Sequence, residues 1–174
     1  MPDLLVIFQN LAGHLAQFER LLRGVFFVVG ALLIIQSLRL AVMRSEQGSM
    51  HSSWVRPITS FACGVALLAF PSTTSVFVDT MFGINRIADP QSIFSYGSRF
   101  TGPINSEPAR NLVIAMVRII QFVGFIAIAR GILHFNAAAQ NGGRTIGTGI
   151  TFVVAGVLAV NFPRFWQLLV GLFT

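Results

Sequence analysis

The chain spells one stretch nearly twice. Gly64–Pro71 reads GVALLAFP and Gly156–Pro163 reads GVLAVNFP, 92 residues apart (64 to 156), with glycine, valine, phenylalanine and proline in register. Each copy lies in the second of two long apolar segments, and the segment before it carries an arginine near its start. A repeat of this kind restricts the fold more than any single residue, because each unit must bury its apolar face against a like neighbour. The expectation is a helical hairpin written twice.

Composition identifies the solvent around those hairpins. Of 174 residues, 54% are hydrophobic and only 10% charged, and the mean hydropathy is +0.74. Soluble domains carry about 25% charged residues, so water is a poor solvent for this chain. Seventeen phenylalanines against one tyrosine point the same way. The expected class is an all-α integral membrane protein. It has four transmembrane helices, arranged as two parallel-repeat helical hairpins, and an N-terminal amphipathic helix.

The organisation expected along the chain has four parts. Residues 1–20 form an interfacial amphipathic helix, since Leu4, Phe8, Leu11, Leu15 and Phe18 recur at three- and four-residue spacing. Residues 21–82 form the first hairpin plus a short tail, with spans over 21–42 and 58–70. Residues 83–110 form a long extramembrane loop, rich in glycine and proline yet interspersed with aromatics, and so ordered rather than a linker. Residues 111–174 form the second hairpin plus tail, with spans over 112–135 and 145–162. Arg20 and Arg23 before GVFFVVGALLII imitate a secretory signal. The counterpart at Met116–Phe135 argues instead for a permanent span.

Three groups of residues stand out within the spans. Gly143, Gly147, Thr151, Ala155 and Ala159 lie at strict four-residue spacing, and Thr59 and Cys63 align with two of them in the first hairpin. Such small-residue faces let helices approach closely in lipid, either within a hairpin or between chains. Pro71 and Pro163 either end their helices or kink them, turning the following residues onto the membrane surface. Arg118 and Arg130 lie about 18 Å apart on a helix, closer than the hydrocarbon is thick, so at least one is drawn inward. Either it snorkels, or it faces a lumen or a subunit contact, and Arg23 is grouped with these two.

Chemistry has little to work with. The six acidic residues lie near the ends or in loops, and His14, His51 and His134 are far apart with no partners at metal spacing. No catalytic site, metal or cofactor is expected. All twelve basic residues are arginine and the net charge is +6, an argument about location and partners. The partners expected are membrane lipids, anionic ones included, and other subunits in a homo- or hetero-oligomer. Sequence-specific nucleic-acid binding is not expected, since no basic run interleaves with aromatics on a polar face. Four crossings would put both termini on one side, and the arginines of the short hairpin loops favour a cytoplasmic position for those loops.

The run VRIIQFVGFIAIARGILHF at Val117–Phe135, followed by Thr145–Pro163 with its GVLAVNFP ending, resembles the small inner-membrane proteins of type IVB secretion. These are the IcmC/DotE and DotV proteins of Dot/Icm systems and the TraQ proteins of IncI-type conjugation. The likeness is best over the second hairpin, about a third of the chain. It implies a multi-pass bacterial inner-membrane protein, a non-enzymatic subunit of a channel that passes protein or DNA. A two-helix hairpin with small-residue faces is also similar to the pilins of conjugative systems, from which the long central loop departs. A stand-alone transporter or channel is the remaining alternative.

Overall fold

The computed structural model describes residues 2–46, 54–83, 87–92, 107–140 and 146–172, without the side chains of 2–13, 15, 16, 107 and 108. Gly143, the aromatic part of the long loop and the wheel positions from Leu4 to Leu15 therefore lie outside what can be described.

Long apolar runs with few breakers give long helices. Helix α1 spans Pro2–Glu46, α2 Val55–Leu68, α3 Phe70–Phe82, α4 Glu107–Gln140, α5 Ile146–Val160 and α6 Phe162–Leu172, with a 3₁₀ turn at Pro90–Ser92. No strand occurs among the described residues. Helix α1 is continuous for 45 residues, so no break separates residues 1–20 from the span that follows. At the end of α3, Gly83 adopts the left-handed conformation (φ 66°) and its amide bonds the Asp79 carbonyl at 2.7 Å, the usual way a glycine stops a helix.

Two segments, Gln17–Glu46 of α1 and Ala109–Gln140 of α4, are long and apolar enough to cross a membrane. The α2–α3 and α5–α6 pairs would bring the number to four, but each is sharply bent, by 97° and 87°. Proline explains the bends. Pro71 and Pro163 are the second residues of α3 and α6, and neither has an N–H to donate four residues back. In the first bend the Ala69 amide still reaches Val65 O (2.9 Å), and the ladder resumes with the Thr73 amide on Ala69 O (3.0 Å). The Thr73 hydroxyl bonds the freed Ala66 carbonyl at 2.9 Å. The second bend turns on Asn161, whose carbonyl accepts from Arg164 and Phe165 at 3.0 and 3.1 Å.

Helix α2 runs back along α1, α5 runs back along α4, and α4 packs on both α1 and α2. Ring contacts fix one end of the bundle: Phe70 meets Phe26 at 4.7 Å and Phe125 at 6.2 Å. Polar contacts fix a second level, where Ser37 donates to Pro57 O (2.8 Å) and Ser60 to Asn136 Oδ1 (2.6 Å). The two levels together make α1 and α4 run in the same direction. The core joins Leu33, Leu67, Val78, Ile128, Val157 and Val160, all buried. Outside, Leu32, Ile35, Phe61, Val123 and Ile150 are exposed. Apolar surface on this scale suits lipid and not water.

Candidate functional site

Where the two arms of each hairpin cross, glycine leaves no room for a side chain. A Cβ on Gly30 would stand 2.7 Å from Gly64 O and Leu68 N, and one on Gly124 would stand 2.8 Å from Gly156 O and Val160 N. The reverse views match: Gly64 faces Gly30 O and Ile34, and Gly156 faces Gly124 O and Ile128. Each hairpin is thus crossed by a glycine pair, with Ile34 or Ile128 one turn further on. The second hairpin adds another crossing, where a Cβ on Gly131 would lie 2.9 Å from Gly149 O. Gly64 and Gly156 head the duplicated stretch, but their partners Gly30 and Gly124 carry no comparable spelling.

The small-residue stripe takes a different place. Gly147, Thr151 and Ala155 are exposed on α5 and Ala159 is half-buried. A Cβ on Gly147 would meet nothing within 4 Å. Thr151 satisfies its hydroxyl on Gly147 O at 3.0 Å. Within the hairpin, α5 packs through Gly149 and Gly156 instead, which leaves the stripe facing outward. On α2, Cys63 is in the core and Thr59 is half-buried.

None of the three arginines enters the core. Arg118 is exposed. Arg130 is exposed too, with its guanidinium 5.2 Å from the Phe152 ring, and His134, one turn further along α4, stacks on that ring at 5.3 Å. Arg23 lies 3.9 Å from Glu19. Any lumen lined by these groups would have to form between chains.

The remaining polar constellation was not singled out from the sequence. Ala88, in the connection after α3, has both backbone groups held by buried side chains. Asn161 Oδ1 accepts from its N–H at 3.0 Å, and Gln121 Nε2 donates to its carbonyl at 3.0 Å. These partners fix both amide orientations, since only an oxygen can accept and only a nitrogen can donate. Asn161 is fully buried, and its Nδ2 has no partner among the described residues. A usable signal existed: Asn161 is the polar letter in GVLAVNFP where the first copy has Ala69.

No protein-family model, curated protein or solved structure matches the chain. Its function is therefore argued from its own surfaces. Among the described residues no group of three His, Cys, Asp or Glu side chains could hold a metal ion. Two recesses adjoin the bent pairs, one at the first bend and one between the far ends of α3 and α6. One of about 60 Å³ is lined by Phe26, Phe70, Thr74, Ile87 and Phe125, with Glu19 and Arg23 among its other lining residues. An open groove of about 660 Å³ runs between the far ends of α3 and α6, past Met81, Arg164 and Leu168.

Proposed function

We propose that the chain is a non-enzymatic structural subunit of the inner-membrane part of a type IVB secretion-like translocation channel. In this reading α1, α2, α4 and α5 cross the bilayer as two parallel repeats. The N-terminal third of α1, with α3 and α6, attends the interface, and the short hairpin loops face the cytoplasm. The matched glycine crossings, Gly30 on Gly64 and Gly124 on Gly156, support the repeat. The right-angle bends support surface positions for α3 and α6.

One observation carries the assembly claim: the outward stripe of Gly147, Thr151 and Ala155 is not used by the chain's own packing. Such a stripe lets a second backbone approach closely. Its one hydroxyl is already bonded within the helix, so it presents no unmet polar group to lipid. Partners are further copies or other secretion-system membrane subunits, with anionic lipids around the arginines. Transport of protein or DNA follows only from the resemblance of the second hairpin to the Dot/Icm and IncI proteins.

The test is affinity purification of the tagged chain from its host in mild detergent, with identification of what accompanies it. The reading expects other membrane subunits of a secretion system. Purification of the chain alone, joined to transport activity of that pure chain in liposomes, would establish a stand-alone channel instead.

A further inference from the structure

The recess at the first bend has two chemically distinct parts. Its inner wall is apolar: Phe26 from α1, Phe70 from α3 and Phe125 from α4 converge there, and Ile87 closes one side. The one hydroxyl on this wall, Thr74, is buried and already donates to Phe70 O at 2.9 Å. No free donor therefore faces the interior. At about 60 Å³ the recess exceeds a one-water site but falls well short of the ~150 Å³ needed for a benzene-sized guest. A few carbons of a flexible chain fit it, and a ring-bearing cofactor does not.

The polar part is Arg23, one turn before Phe26. Its side chain is 57% exposed and stands 3.9 Å from Glu19, near enough for charge but beyond hydrogen-bond distance. No hydrogen bond of the guanidinium occurs among the described residues, so its planar fork of donors is open to an anion. Arg20, also exposed, leaves the local charge positive after Glu19 is counted. An apolar slot with an arginine fork one turn outward matches an amphiphile that has a flexible tail and an anionic oxygen-rich head.

We infer that this recess seats a few carbons of one acyl chain of an anionic phospholipid, the rest of the chain running over the bundle surface, with the lipid phosphate on Arg23. The direction fits a bilayer: Arg23 lies on the side of the bend away from the bundle body, and Phe26 lies toward it. Ile87 is placed by its neighbour Ala88, which Asn161 and Gln121 hold on both sides. The asparagine that departs from the repeat thereby builds one wall of the site. The inference rests on the membrane placement of the bundle and not on any secretion role.

Native mass spectrometry of the purified chain tests it, with equal amounts of dioleoyl phosphatidylglycerol and dioleoyl phosphatidylcholine added in detergent. The chain is expected to retain phosphatidylglycerol about tenfold over phosphatidylcholine, the scale of one charge-assisted contact. Arg23→Gln, an exposed position, should bring that preference close to one with helical content unchanged, and Arg23→Lys should keep part of it. Leu22 also lines the recess, and Leu22→Trp, placing bulk there, should lower retention of both lipids. Equal retention of the two lipids by the unmodified chain, or a preference that persists in R23Q, would overturn the inference. Displacement of phosphatidylglycerol by millimolar inorganic phosphate would also overturn it, since the tail would then contribute nothing. So would a chain that takes up neither lipid and forms an oligomer that L22W breaks apart, because a partner's side chain would then fill the recess. Co-purification of secretion subunits from cells is read separately and does not depend on any of these results.

Discussion

At the scale of single residues, the glycines divide into two kinds that sequence alone does not separate. Gly124 and Gly147 both sit inside apolar helices. A methyl on Gly124 meets two backbone atoms at 2.8 Å, and a methyl on Gly147 meets nothing. Backbone cannot rotate away as a side chain can, so Gly124→Ala forces the hairpin apart. Overpacking of this kind costs about 1–3 kcal/mol. Gly147→Ala should leave stability of the single chain unchanged or raise it by up to ~1 kcal/mol through helix propensity. Thermal unfolding of the two variants in the same detergent checks the contrast. Equal behaviour would mean that the close crossing is not there. Asn161 allows a second comparison. Asn161→Ala strands the Ala88 amide, and an unmade buried hydrogen bond costs about 1–3 kcal/mol. Amide hydrogen exchange at residues 87–92 should accelerate in that variant, while exchange in the middle of α4 stays as it was.

At the scale of elements, the bends decide whether α2–α3 and α5–α6 are long helices or angled pairs. Apolar runs and two prolines were enough to place the helices and to mark where two of them are interrupted. The choice between an end and a kink was not legible. It depends on how the carbonyls left unpaired at the break are satisfied, as when the Thr73 hydroxyl takes Ala66 O, which the Phe70 amide would bond in an unbroken helix. The short tail expected after the span at 58–70 also proves to be part of a helix that starts at Phe70. The glycine pairs were only half legible: Gly64 and Gly156 are marked by the repeat, but their partners are set by register across a hairpin. The buried link from Ser60 to Asn136 joins residues 76 apart in sequence (60 to 136), and nothing local in either segment announces it. Spin labels at positions 58 and 81, with Cys63 replaced by serine, measure the first bend directly. With the 97° bend the backbone positions lie about 22 Å apart, and a straight helix would put them about 35 Å apart. A distance distribution centred near 22 Å is expected.

At the scale of the whole molecule, the bundle has a largely apolar interior and an apolar outer surface. Among the described residues, the charged groups sit at the bends, at the ends and on the outer faces. Helix α5 is only 15 residues long, about 22 Å at 1.5 Å per residue, less than the ~30 Å of bilayer hydrocarbon. In the membrane placement proposed, so short an arm keeps Arg130 within reach of the headgroup layers, and its position over the Phe152 ring, 5.2 Å from the centroid, stabilises the exposed guanidinium by about 0.5–1 kcal/mol. Arg130→Leu should therefore lower stability in detergent only modestly, by an amount seen as a shift of a few degrees in the unfolding midpoint. What the bundle leaves unused is the α5 stripe, and the account makes that stripe the contact between chains. Light scattering on size-fractionated protein in mild detergent, comparing the unmodified chain with Gly147→Leu/Ala155→Leu, tests this most directly. An oligomer is expected that falls to a monomer of 18.9 kDa in the double variant, with helical content retained. An unmodified chain that is already monomeric, or a double variant that assembles as before, would contradict it.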